Sequence, residues 1–185
     1  KNEGRTASGT PVYVQLLGSD PALMAANAKT AAKLGAPGID LNFGCPAKMV
    51  NKSRGGATLL KTPKIIFDIC KAVRDATPAD TPVTAKVRLG FDDDSQFSDI
   101  ADYAIKSGIG ELTVHARTKA QAYRPPAHWS QLGTISKPRG IPIIANGEIW
   151  TPSDLARCRE QSGCGAFMLA RGALCRPDLG RAIKE

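Results

Sequence analysis

Six short apolar runs, each trailed by helix-forming sequence, leave this chain few folds to choose from. The runs lie at residues 12–17, 39–43, 83–89, 111–116, 141–145 and 166–170. Between them, the Ala-rich stretch 21–34 closes at Gly35. Thr62-Pro63 opens the next helix, 97–107 stops at Gly108, and Thr151-Pro152-Ser153-Asp154 starts another that runs to Glu160 with Gly163 behind it. Proline suits a first helical turn, where its missing N–H has no partner in any case, and glycine suits the left-handed cap past the last turn. Most of the runs read as apolar throughout, as strands covered on both faces must be. A repeat of strand and helix implies an α/β fold with a parallel sheet, here in a single domain over residues 1–185. Six such units approach the eight of a (β/α)₈ TIM barrel. A doubly wound open sheet is the alternative, but no G-x-G-x-x-G follows the first run.

Composition narrows the setting. Hydrophobic residues make up 42% of the 185 and charged residues 23%, ordinary for a globular domain. The longest apolar run is far short of a membrane span, and the polar opening, residues 1–10, reads like the middle of a loop and shows no signal peptide. The net charge of +8 suits a polyanionic partner, although a merely basic surface would give the same total. The five cysteines, Cys45, Cys70, Cys158, Cys164 and Cys175, form no C-x-x-C pair. A structural metal site and a disulfide framework are therefore not expected, and a reducing, cytoplasmic compartment fits best.

Chemistry in a parallel barrel collects where the strands end. The ends here carry Gln15, then Asn42-Phe43-Gly44-Cys45-Pro46, Lys86-Val87-Arg88, His115-Ala116-Arg117, Asn146-Gly147-Glu148 and Ala170-Arg171-Gly172. Lys86 lies between Ala85 and Val87, and a lysine in an apolar strand needs an anion or acceptor to meet it. Gln15 would serve a ring edge or simply satisfy backbone groups. His115 is a site residue or a satisfied core histidine, and Cys45 a reactive or a plain buried thiol. Gly147 and Gly172 permit close backbone approach, as phosphate binding requires, and Arg171 can grip a phosphate by its fork. A cation beside the N1–O2 edge of a flavin stabilises the reduced anion. A thiol in an ordinary environment is mostly protonated at neutral pH and can act as an acid. Together these groups describe reduction of an activated carbon–carbon double bond.

The segments Val-Gln-Leu-Leu-Gly (14–18), Asp-Leu-Asn-Phe-Gly-Cys-Pro (40–46), Gly-Gly-Ala-Thr-Leu-Leu (55–60), Lys-Val-Arg-Leu-Gly (86–90), Val-His-Ala-Arg-Thr-Lys (114–119) and Ala-Asn-Gly-Glu-Ile (145–149) resemble the tRNA-dihydrouridine synthases, especially the bacterial C-type subfamily that acts on uridine 16. The resemblance implies a (β/α)₈ barrel holding FMN, reduced by NADPH, in a monomeric enzyme that binds tRNA with the help of a C-terminal helical domain. Flavin N5 gives a hydride to uracil C6, and the matching cysteine, Cys45, protonates C5. The residues matching the family's FMN ligands are Gln15, Lys86, His115, Asn146, Gly147, Glu148, Ala170 and Arg171. Asn42, Arg88 and Tyr123 match positions around the uracil.

Three positions depart from the family pattern. Ala170 replaces the usual glycine before the phosphate arginine, Arg54 interrupts a Gly-rich stretch, and His128 precedes Trp129 where an acid is common. The resemblance also implies that strands three to eight of the barrel are present, with the first two strands preceding Lys1 and the helical domain following Glu185. Strands three and eight would then be exposed edges. Two other functions compete: a flavin barrel acting on a small pyrimidine, like the dihydroorotate or dihydropyrimidine dehydrogenases, and a non-catalytic phosphate- or RNA-binding barrel. Arg54, Arg117, Lys119 and Arg124 near the strand ends favour a polyanion.

Overall fold

The structure, a computed structural model, describes residues 4–135 and 140–184, so the first three residues of the polar opening lie outside it. Six parallel strands form one sheet in sequence order: β1 (Val14–Leu16), β2 (Ile39–Asn42), β3 (Val83–Arg88), β4 (Glu111–His115), β5 (Ile143–Asn146) and β6 (Ala166–Met168). The helices between and after them are α1 (Pro21–Lys33), α2 (Lys48–Lys52), α3 (Pro63–Ala76), α4 (Phe97–Lys106), α5 (Pro152–Ser162), α6 (Arg171–Cys175) and α7 (Leu179–Ala182). Local chemistry explains their ends. Asp20 caps α1 by accepting from the Leu23 N–H at 2.9 Å. Thr151 and Asp154 cap α5 reciprocally, which satisfies two N–H groups that the helix cannot. Gly163 ends α5 in the left-handed conformation, φ 68°.

The strands are not apolar throughout, as the sequence reading has it. They alternate. Ile39, Leu41, Val83, Ala85, Val87, Leu112, Val114, Ile143 and Ala145 belong to the buried core. They meet the stripes Ile66, Ile69, Cys70 and Val73 of α3 and Phe97, Ile100, Ala101 and Ala104 of α4, both at the i, i+3, i+4, i+7 spacing of one helical face. The opposite face of the same strands carries Asp40, Asn42, Thr84, Lys86, Arg88, Glu111, Thr113, His115 and Asn146. Asp40, Asn42, Thr84, Lys86 and Asn146 tolerate that face because they hydrogen-bond across strands. The parallel register sets Asn42 beside Lys86, Arg88 beside His115 and His115 beside Asn146, so one row of polar side chains runs along the strand ends.

The sheet stops at β1 and β6, which each pair on one side only among the described residues. Both are shorter than the runs at 12–17 and 166–170, since an unpaired edge holds fewer ladder bonds. Val12, Val14 and Leu17 are exposed along β1. No helix of the described residues is long and apolar enough to cross a membrane.

Candidate active site

A hydrogen-bond chain across the polar face fixes the loop after β2. Asp40 accepts from Gln15 Nε2 at 2.6 Å and from Thr84 Oγ1 at 2.8 Å. Gln15 Oε1 then accepts from Asn42 Nδ2 at 2.9 Å, and Asn42 Oδ1 accepts from the Gly44 and Cys45 N–H groups, each at 3.0 Å. From the far side, Asn51 Nδ2 donates to the Cys45 carbonyl at 2.9 Å and the Ala57 N–H does so at 3.0 Å. Cys45 is thereby held on both sides of its backbone, half-buried. The other cysteines divide clearly. Cys70, Cys158 and Cys164 are buried and Cys175 is exposed, and burial pushes the thiols of Cys70 and Cys158 up to about 12.

The cations of β3 are held differently. Lys86 Nζ donates to Asn146 Oδ1 at 2.9 Å, and Asn146 Nδ2 donates to the Met168 carbonyl at 2.8 Å. Burial, with the like charge of Arg88 and against the pull of Asp40, lowers Lys86 to about 8. Arg88 is buried, and Nε donates to the Gly44 carbonyl at 2.8 Å while Nη1 donates to the carbonyls of Thr118 and Ala122 at 3.1 and 2.9 Å. It ties the Cys45 loop to the loop after β4. The Tyr123 ring, on that second loop, faces the Arg88 guanidinium at 5.3 Å and that of Arg171 at 4.7 Å, and Arg171 also lies 5.1 Å from the Trp150 ring. Each is within cation–π range. His115 is buried, and burial together with Arg88, Lys86, Arg117 and Arg171 pushes it down to about 2.

These groups line one cavity of about 300 Å³. It gathers Asn42, Cys45, Lys86, Arg88, His115, Tyr123, Asn146, Gly147, Glu148, Ala170 and Arg171. Gln15, expected as a flavin ligand, is not among them, because Asp40 and Asn42 engage both ends of its amide. Arg117, expected to favour a polyanion, is fully buried and paired with Glu148. The two glycines expected to admit a phosphate have nearer reasons. A Cβ on Gly147 would lie 2.9 Å from His115 Cδ2, and one on Gly172 would lie 2.1 Å from the Ile149 carbonyl oxygen. The sequence reading missed Asp40, Thr84 and Trp150. A carboxylate inside Ile-Asp-Leu-Asn is the available signal for the first, since an acid between two core residues needs partners.

Two family departures carry unusual backbone. Arg54 has φ 60°, and Ala170 has φ 49° and ψ −118°, a conformation that glycine adopts freely and other residues rarely. Arg54 and Arg124 are exposed, while Lys119 lies over the Phe91 ring at 4.6 Å, sharing it with Lys61 at 4.1 Å. Among the described residues, no group of three or more His, Cys, Asp or Glu side chains is arranged to hold a metal ion.

The sequence matches the family described as dihydrouridine synthase (Dus) over residues 1–185. It is 55% identical over 179 residues to a tRNA-dihydrouridine(16) synthase of Pseudomonas putida, covering 97% of this chain and 55% of that one. A protein of the same description from Shewanella oneidensis is 51% identical, with 98% and 58% covered. The chain thus spans just over half the length of these relatives. Among solved structures it resembles DHODH from Eimeria tenella in complex with ferulenol, with a TM-score of 0.64 and 17% identity over 87% of this chain and 51% of that one. It also resembles histamine dehydrogenase from Rhizobium sp. 4-9, with a TM-score of 0.62 and 16% identity over 87% and 26%. At such identities the likeness concerns fold alone. The six strands are those of a TIM-barrel α/β fold, here with the barrel not closed.

Proposed function

The chain belongs to the dihydrouridine synthase family, and on that premise we propose that it is the catalytic domain of a flavin-dependent tRNA-dihydrouridine synthase acting on uridine 16. The observation that carries the reading is the cavity's charge. Lys86, Arg88 and Arg171 line it, and Glu148, the only carboxylate among the described residues that line it, is already paired with Arg117. Such a cavity fits an anionic cofactor with an electron-rich ring edge, and FMN is the cofactor proposed. When bound and reduced by NADPH, FMN supplies a hydride for C6 of the uracil.

The chain's own residues do the rest. Lys86, its direction fixed by Asn146, would offer a charge to the bound flavin. Gly147, Glu148, Ala170 and Arg171 lie at the ends of β5 and β6 and hold the cofactor by backbone groups and the Arg171 fork. His115 would contact the flavin, and Gln15, bonded to Asp40 and Asn42, would act on the site through Asn42. Asn42, Arg88 and Tyr123 border the uracil, and the Cys45 thiol releases its proton to C5 as C6 is reduced. Cys45 is half-buried, so solvent can reprotonate it. Arg54, Lys119 and Arg124, with the net charge of +8, favour tRNA as the partner over a small pyrimidine.

The test is Cys45→Ala in the full-length protein. FMN retention and its reduction by NADPH should persist, while dihydrouridine formation in tRNA falls about 10²-fold or more, the usual scale for losing a general acid. An undiminished single-turnover yield would refute the assignment.

A further inference from the structure

Arg117 lies two residues past β4, fully buried, and the proposed reaction gives it no part. Its Nε donates to the Arg124 carbonyl at 2.7 Å, and Nη2 pairs with the Glu148 carboxylate. Nη1 lies 3.2 Å from His115 Nε2. A guanidinium has five N–H donors and no acceptor. The contact therefore has one polarity: Arg117 donates, and His115 Nε2 accepts and carries no proton. In a neutral ring the proton is then on Nδ1, which has no hydrogen-bond partner among the described residues.

We propose that Arg117 is a positioning residue that locks His115 as the neutral Nδ1–H tautomer, so that His115 offers the cavity a fixed hydrogen-bond donor and never a titrating proton. The packing supports this. The Cδ2 and Nε2 atoms lie against Gly147, where an added Cβ would approach them to 2.9 and 3.2 Å, so Gly147 and Arg117 occupy that edge of the ring and leave Nδ1 as the nitrogen open to a ligand of the cavity that His115 lines. Charge supports it too. Lys86 and Arg88 on β3, Arg117 after β4 and Arg171 on α6 all oppose a second ring proton. Glu148, which would favour one, is engaged by Arg117, the Tyr123 ring lies at 6.0 Å, and the Cys45 thiol lines the same cavity. The ligand group that His115 meets must therefore be an acceptor, such as a ring carbonyl or an unprotonated ring nitrogen. The inference deepens the proposed reaction, because it removes the imidazole as a rival to Cys45 for the proton, and in that respect it rests on that reading.

The experiment is a long-range ¹H–¹⁵N correlation spectrum of the full-length protein labelled at histidine, recorded from pH 5.5 to 8.5, with His115→Asn used to assign the signals. The expected result is a pyridine-type nitrogen at Nε2 and a pyrrole-type nitrogen at Nδ1, both unmoved by pH. An Nε2–H tautomer, or a sigmoidal shift towards imidazolium, would overturn the proposal. The double variant Arg117→Met/Glu148→Gln removes the donor together with the carboxylate it would strand. In it the Nε2–H tautomer should become detectable, and an unchanged tautomer in a folded double variant would show that Arg117 is not the lock. Where the double variant does not fold, the unsubstituted protein still decides the tautomer, and Arg117→Gln, whose amide can accept as well as donate, decides the lock by the same criterion. The spectrum is independent of tRNA turnover. The expected tautomer in a protein that makes no dihydrouridine would sink the proposed reaction and leave this inference standing.

Discussion

The two faces of the sheet are built from the same strands and obey different rules. On the helix-covered face, Leu41, Val87, Leu112 and Val114 are fully buried and hold position by shape. On the other, Asp40, Asn42, Lys86 and Asn146 hold position by pairwise hydrogen bonds. An apolar contact is non-directional and scales with area. A hydrogen bond is directional, and losing one partner leaves the other unpaired. The apolar face should therefore govern whether the chain folds, and the polar face what the folded chain binds.

The strongest way to break that division is Leu112→Ala. A buried leucine truncated in a packed core costs about 3 kcal/mol, to be read by chemical denaturation of the full-length protein. FMN affinity of the fraction that stays folded should be unchanged. An affinity loss matching the stability loss would mean that the faces are not separable.

Asp40→Asn sharpens the comparison from the other side. It keeps the shape but weakens the acceptor of Gln15 and Thr84, so stability should fall by about 1 kcal/mol. It also removes the charge that raises Lys86. Because Lys86 titrates near 8 in the folded protein, its cation is present below that pH and fades above it. FMN binding should weaken as pH rises through about 8, and in Asp40→Asn the decline should begin at lower pH. The sign for stability is opposite. A lysine lowered by folding makes the folded state bind fewer protons between its folded value and its ordinary one, so its contribution to stability rises with pH in that window. A pH profile of FMN affinity that Asp40→Asn leaves in place would separate Lys86 from cofactor binding.

The smallest effect concerns Ala170. Its backbone strain costs of order 1 kcal/mol or more, offset in part by the greater chain entropy of a glycine. Ala170→Gly should raise stability by at most about 1 kcal/mol, seen as a small rise in the melting temperature. A loss would show that the loop is held in this shape by the alanine methyl.

The number, order and type of the strands were legible because the helix-facing residues form a regular apolar signal. β3 and β4 match their expected runs to within a residue at the C-terminal end. The alternation was missed because small residues such as Ala85 and Thr113 blur the contrast between faces, and because Ile144 breaks it in β5. In the site, residue types were legible and partners were not. Arg117 and Arg171 are both arginines beside a strand end. One is buried against Glu148 and the other is exposed between two aromatic rings. That difference depends on which loops meet, and the spacing of residues along one strand does not contain it. The short helices α2 and α6 also escaped notice, since five residues carry too little periodicity to register.

The strand order of the sheet is the order of the sequence, and this bears on how the domain is made. Among the described residues each strand after β1 docks on the one synthesised just before it, so within this sheet none has to insert between two already paired. Assembly can proceed by accretion as the chain leaves the ribosome, each new strand and helix extending a surface that is already in register. A growing chain halted at any helix is then a narrower version of the same sheet, whose apolar strip is covered by the helices already added.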